Sequence, residues 1–139
     1  MRNVSTLVGG AAAAIALAAA LSCGGSSSTG PSAGGCTPSA NPNTLVIMNN
    51  AICPQAITVN RGTQLTVTNQ DSQTHDMTSD PHPEHTDCPE LNQVGFLNPN
   101  QSRTSGNLNT ARRCGMHDHS NPNSAALKAT ITIQGALVP

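Results

Sequence analysis

The chain has 139 residues, a formal net charge of −1 and one aromatic side chain, counting Phe, Trp and Tyr together. This composition excludes the common modes of nucleic-acid binding. It offers no basic stripe to follow the phosphates and no set of rings on which bases could stack. We therefore expect an aliphatic core and no nucleic-acid partner.

The first 22 residues have the pattern of an export signal. A short positive segment with Arg2 precedes an Ala/Leu/Val-rich run that ends in ALSC at Cys23. The apolar run is weakly hydrophobic and barely long enough to span a bilayer, which disfavours a transmembrane anchor. Its end resembles a bacterial lipobox, and this resemblance implies that Cys23 carries lipid. We therefore expect a protein anchored to a bacterial membrane outside the cytoplasm, in the periplasm or on the cell surface.

Residues 23–35 begin with the cysteine that is expected to carry lipid and continue as a Gly/Ser-rich stretch. We predict that this stretch is a flexible tether, because such a segment cannot bury apolar surface. The remaining residues, 36–139, make one domain by length. An exported domain can keep disulfides, and an even number of cysteines permits two bridges with three possible connectivities. The disulfide candidates are Cys36, Cys53, Cys88 and Cys114.

Short alternating segments, separated by Asn, Pro and Gly, predict an all-β sandwich. Residues 79–100 are Pro-rich and lack periodicity, so we predict a 22-residue loop there. Loops of this length are usually functional or disordered, and this one carries two histidines. Residues 123–127 are compatible with one helical turn. The predicted strands are residues 44–48, 57–59, 63–69, 74–78, 102–108 and 128–134.

All five histidines fall in two short segments, residues 75–88 and 114–119, and each segment also holds a cysteine. Imidazole is the commonest metal ligand in proteins, and scattered surface histidines would not be sorted in this way. We predict one metal site, built from two loops at the same end of the sandwich. The candidate ligands are His75, His82, His85, His117, His119 and Cys114.

These segments and the strands around them resemble a cupredoxin, the fold of plastocyanin and azurin. The run ITVNRGTQLTVTN at residues 57–69 is similar to the family's strand-turn-strand that ends in Asn. His75 follows it at the position of the family's first copper-ligating histidine. The CGMH run at residues 114–117 is similar to the Cys-x-x-His ligand loop, and residues 127–134 resemble the closing strand. The resemblance spans about residues 45–134, and it implies a Greek-key β-sandwich with a copper site.

The chain departs from the family at the weak axial methionine. The residues after His117 read DHSNPN, and Met116 lies inside the Cys-x-x-His run, where the family has no ligand. The chain offers His119, His82 and His85 instead. It thus resembles a divergent, His-rich branch of exported cupredoxin-like proteins.

Two arrangements of the site are open. In the first, Cys114 is a free thiolate that binds copper with His75 and His117. In the second, Cys114 is bonded to Cys88, the metal lies among imidazoles only, and the other two cysteines form a bridge near the N-terminus. We favour the second arrangement because the bridge would join the two histidine segments and order the Pro-rich loop.

Three or four imidazoles suit Cu(II), with Zn(II) as the competing metal. The carboxylates of Asp76, Asp87 and Asp118 are candidates to orient imidazole N–H groups, unless they are simply solvated. The predicted role is electron transfer if Cys114 is a ligand, and copper capture and delivery if the site is all-His. A redox or copper-transfer protein is then the expected partner of a monomeric chain.

Two other functions stay open at this stage. A His-rich copper site with an open position could make the chain a redox enzyme that acts on superoxide or dioxygen. A metal-free cupredoxin-like module that serves structure or interaction is the other alternative. Copper stoichiometry and turnover assays separate these possibilities.

Overall fold

The structure is a computed structural model that describes residues 35–135 and consists of two β-sheets. The predicted export signal, the predicted lipidation site at Cys23 and the predicted tether up to residue 34 lie outside the described residues. Within residues 35–135, no helix is long and apolar enough to cross a membrane. The strands are β1 Thr44–Met48, β2 Ala51–Cys53, β3 Ala56–Asn60, β4 Thr66–Asn69, β5 His75–Ser79, β6 Gly95–Leu97, β7 Ser102–Thr104, β8 Arg112–Asp118 and β9 Lys128–Gln134.

Each sheet contains one parallel pair among antiparallel neighbours. Sheet A has the strand order β2-β1-β4-β7, in which β1 and β4 run parallel. Sheet B has the order β3-β9-β8-β5-β6, in which β3 and β9 run parallel. Strand β8 therefore lies at the centre of sheet B, with β9 on one side and β5 on the other.

The core is aliphatic, as the composition predicts. Leu45 and Ile47 of β1 pack in the same buried cluster as Met77 of β5 and Ile131 of β9. In β5 and β9 the buried residues alternate with more exposed ones, because successive side chains of a strand point to opposite faces, whereas β1 is buried at three successive residues. Each such side chain, when fully buried, stabilises the fold by roughly 1.5–3 kcal/mol.

Four of the six predicted strands are found at or within one residue of their predicted positions. Strands β1 and β9 have the predicted bounds, residues 57–59 form the centre of β3, and β5 is displaced by one residue. The prediction is too long at residues 63–69 and 102–108, since β4 begins at Thr66 and β7 ends at Thr104. The predicted helical turn is present as a 3-10 helix at Ala125–Leu127.

The prediction of one long loop at residues 79–100 is wrong. A 3-10 helix at Pro89–Gln93 and strand β6 interrupt it, and Leu91, Val94 and Leu97 are buried in the core. These apolar residues are too few and too irregularly spaced to produce a periodic signal. The true loop on this side of the fold is the shorter stretch between β5 and the 3-10 helix.

We expected the second histidine segment to be a loop, and this prediction is wrong. Residues 114–118 of the segment form most of the central strand β8. Its composition hides this, because a run with Gly and no β-branched residue has little intrinsic preference for a strand. Pairing with β9 along six residues and with β5 along three decides its conformation.

Two disulfides are present, and both have the predicted connectivity. Cys36 is bonded to Cys53, and Cys88 is bonded to Cys114. The first bridge lies in a small cluster beside β1 and β2, whereas the second lies in the main core.

Candidate metal centre

The pleat of β8 divides the second histidine segment between the two faces of sheet B. Cys114 lies opposite Ile131, a core residue, whereas His117 lies opposite the exposed Lys128. Since directly opposed residues project from the same face, Cys114 points inward and His117 points outward. Asp118, the next residue, is again on the inner face and fully buried. His117 and Cys114 therefore cannot reach a common metal ion while this strand is intact.

The loop after β5 covers the outer face of β8 and holds its own shape by hydrogen bonds. The His85 N–H donates to the Pro81 carbonyl at 2.7 Å, and the Asn92 side chain donates to the His85 carbonyl at 2.9 Å. His85 has a φ of 54°, a left-handed conformation that is uncommon for residues other than glycine. Backbone strain of this kind concentrates at functional sites. Under this cover His117 is only 1% exposed, although it faces outward.

Four histidines meet where the loop crosses the sheet. One ring nitrogen from each lies within 4.8 Å of those of the others. The ring centroid of His119 is 4.9 Å from those of both His82 and His85, and the His85 centroid is 5.3 Å from that of His117. We call His82, His85, His117 and His119 the four-histidine group.

The surroundings of His85 within the four-histidine group favour the neutral form of its ring. Partial burial, followed by the neighbouring His117, His119 and His82 rings, lowers the pKa of His85 below its ordinary value, and Asp76 opposes this shift. A lowered pKa favours the neutral imidazole, which is the form that binds a metal. His85 Nε2 and His119 Nδ1 are 3.1 Å apart.

Asp80 fixes the ring of His117. Its Oδ1 lies 2.6 Å from His117 Nδ1, and a carboxylate only accepts, so Nδ1 carries a proton and the lone pair of the neutral ring is on Nε2. His117 Nε2 is buried and has no hydrogen-bond partner among residues 35–135. An orphaned ring nitrogen is rare in a folded protein. A lone pair held in place among three other imidazoles fits a metal ion, and carboxylate-bound histidines are typical of metal sites.

Gly115 makes room for this carboxylate. A Cβ on Gly115 would overlap the Asp80 carboxylate and lie 2.9 Å from the Asp80 Cβ. Asp80 cannot simply swing away, because its backbone N–H donates to the Gly115 carbonyl at 3.0 Å. The glycine in the CGMH run is therefore required by the contact with Asp80. We predicted Asp76, Asp87 and Asp118 for the orienting role. Asp118 does contact an imidazole, since its Oδ2 lies 2.7 Å from His75 Nδ1, but behind His117 the structure places Asp80. The position of Asp80 two residues before the first histidine of the loop was the only signal.

We expect Gly115→Ala and Asp80→Asn each to weaken metal binding by about 10–100-fold, the usual effect of losing a carboxylate behind a ligating histidine. Both changes leave all four imidazoles in the chain and act only on the orientation of His117. The measurement is a competition titration with Cu(II) against a chelator. Arg113→Ala, an exposed change on the same strand, is the matched control and should leave the affinity unchanged. Equal affinities in all three variants would show that Asp80 does not position His117.

His75 is not part of the four-histidine group. It lies on the inner face of β5, on the same side as Met77, which is opposite Asp118. Its Nδ1 is 2.7 Å from Asp118 Oδ2, and its Nε2 is 3.3 Å from Asp71 Oδ2. Both ring nitrogens are thus engaged with carboxylates, in a place where the side chain is only 2% exposed.

The structure therefore brings together four of the six predicted ligands and leaves two apart. His75 is tied to two carboxylates inside the sandwich, and Cys114 has no thiolate because it is bonded to Cys88. The arrangement is the second of the two that the sequence left open, with the metal candidates reduced to imidazoles.

No protein-family model matches this chain, and no curated protein sequence matches it either. Solved structures do match. A purple cupredoxin from Nitrosopumilus maritimus aligns with a TM-score of 0.51 at 16% identity, covering 66% of this chain and 98% of that one. Plastocyanin from Dryopteris crassirhizoma aligns with a TM-score of 0.51 at 21% identity, covering 66% and 99%. The chain has the cupredoxin fold.

A third cupredoxin structure differs more in sequence and agrees as well in shape. Amicyanin from Paracoccus versutus aligns with a TM-score of 0.54 at 10% identity, covering 70% of this chain and 85% of that one. The resemblance noted in the sequence is therefore confirmed at the level of the fold.

Proposed function

We propose that this chain is an exported copper-binding protein in which the four-histidine group holds Cu(II). The observation that carries the proposal is the convergence of four imidazoles around His117 Nε2, which is buried, orphaned and held by Asp80. Two disulfides support a location outside the cytoplasm, where such bonds persist. Lipid on Cys23 would keep the domain at a bacterial membrane.

An all-imidazole site suits Cu(II), which prefers nitrogen and oxygen donors in tetragonal geometry, and Zn(II) is the competitor. The affinity of a given site for Cu(II) generally exceeds that for Zn(II). The cupredoxin fold is compatible with copper, but the choice of metal rests on the donor set. Soft sulfur ligands are missing from the four-histidine group, because Cys114 is oxidised and Met77 and Met116 are buried in the core.

The proposed role is copper capture and delivery to a copper-transfer partner. Electron transfer through a thiolate–copper centre needs a free Cys114, and this cysteine is bridged. Two of the four imidazoles, His82 and His119, are exposed, so a partner can reach the site and exchange the ion. A redox centre based on a thiolate would need a free cysteine, and a closed centre would have all its ligands buried.

The test is a Cu(II) titration of the oxidised protein, followed by visible absorption and by metal analysis. We expect one Cu(II) per chain and only weak ligand-field absorption, because four imidazoles provide no thiolate-to-copper charge transfer. An intense charge-transfer band would show that Cys114 is a ligand and that the role is electron transfer. Failure to bind one equivalent of copper, together with tight binding of Zn(II), would show that the four-histidine group is a zinc site.

A further inference from the structure

A cleft adjoins the four-histidine group on one side. It has a volume of about 360 Å³, and His82 and His117 form part of its wall. Asp80, Asn123 and Lys128 line the rest, together with two prolines whose φ angles are fixed. Its volume is at the lower end of that of small-molecule sites, which is roughly 300–1,000 Å³.

The charged residues that line the cleft are one cation, Lys128, and one carboxylate, Asp80. Lys128 lies directly opposite His117 in the β8–β9 pair, so its ammonium group projects from the same face as the ring. It takes part in none of the ion pairs formed between residues 35 and 135. The one carboxylate that lines the cleft is that of Asp80, and its Oδ1 is already bound to His117.

We propose that this cleft admits a small carboxylate-bearing anion to the copper ion, with Lys128 as its cationic contact and Asn123 as its amide contact. This inference rests on the proposed function and specifies the ligand class that reaches the same site. A Cu(II) ion on imidazoles accepts a further oxygen or nitrogen donor in tetragonal geometry. An anion held by Lys128 and Asn123 would lie beside His82 and His117, the two histidines of the group that line the cleft.

The experiment uses the full chain loaded with one equivalent of Cu(II) and two probes, azide and acetate. Azide is followed by the absorption that appears when it binds Cu(II), and acetate by its competition with azide. We expect saturable azide binding, displacement by acetate, and about five-fold weaker binding of both anions in Lys128→Met, the size expected for one exposed ion pair. Lys128→Arg should restore most of the affinity. Arg113→Met, which removes an exposed cation that does not line the cleft, should change nothing.

The outcomes separate this inference from the proposed function, because copper stoichiometry is measured on the same samples. One bound copper with no response to azide, or with the same response in Lys128→Met, overturns the anion site and leaves copper binding intact. Absence of bound copper refutes the proposed function and the anion site together. A response to azide that acetate does not displace would contradict the assignment of a carboxylate ligand.

Discussion

Replacing His117 by Gln is expected to abolish tight copper binding while leaving the fold nearly as stable. Replacing His75 by Gln is expected to preserve copper binding and to destabilise the fold. The loss of affinity in His117→Gln should exceed the roughly 10–100-fold effect of disturbing a residue behind a ligand, because the ligand itself is removed. His75→Gln should keep one copper per chain and lower the free energy of unfolding by about 3 kcal/mol.

The two effects differ because the two rings face opposite sides of sheet B. The His117 ring joins three other imidazoles and leaves Nε2 without a partner among the described residues, so the metal-free protein loses only its bond to the partly exposed Asp80 carboxylate, worth about 1.5 kcal/mol. The His75 ring lies between Asp71 and the fully buried Asp118. Its removal leaves a buried carboxylate short of a partner, which is strongly destabilising.

Copper titration and urea unfolding of the same two variants give the measurement. The cupredoxin resemblance alone assigns His75 as a copper ligand, so it predicts a large loss of copper affinity in His75→Gln. That result would overturn the assignment made from the four-histidine group. His82→Gln and His85→Asn complete the series, the latter because Asn tolerates the left-handed backbone of residue 85.

The second large effect concerns the two disulfides, which the chain offers as a matched pair. Removing Cys88–Cys114 as Cys88→Ala/Cys114→Ala should cost about 3.5 kcal/mol of stability on the chain-entropy model, and should also weaken copper binding. Removing Cys36–Cys53 as the corresponding double alanine variant should cost about 3 kcal/mol and leave copper affinity unchanged. The similar entropic costs follow from sequence separations of 26 and 17 residues.

Of the two disulfides, only Cys88–Cys114 connects the two parts of the candidate metal centre. Cys88 ends the loop that carries His82 and His85, and Cys114 lies on the strand that carries His117. Without the bond, the loop must be placed over β8 by its remaining hydrogen bonds and by Leu91, Val94 and Leu97. Cys36 and Cys53 pack in a separate small cluster with Val46 and Ala51, away from this loop.

Thermal unfolding and copper titration of both double variants check this prediction. The metal titrations are carried out below the unfolding transition of the less stable variant, so that a lost site is not confused with a lost fold. Equal copper affinities in the two variants would show that the Cys88–Cys114 bridge stabilises the domain without assembling the metal centre. A large loss in the Cys36–Cys53 variant alone would contradict the placement of the site.

The sequence by itself was sufficient for the sandwich and for locating all the candidate histidines in two segments. The bounds of β1 were found from a short β-branched run flanked by Asn and Pro, and those of β9 from regular alternation. The cysteine positions indicated the bridge between the two histidine segments. Residues 79–100 were harder, because Leu91, Val94 and Leu97 reach the core from irregular spacing. Local pattern carries no information about such contacts.

Which histidines meet was decided only by the tertiary structure. The CGMH run has no strand signal of its own, yet pairing with β5 and β9 holds its backbone in an extended conformation. The pleat then places Cys114 and His117 on opposite faces of sheet B. The same parity places His75 inside with Asp118 and brings His119 to the outer face with His117. Sequence spacing determines which side chains share a face once a strand exists, but hydrogen bonding to neighbouring strands determines whether the strand exists.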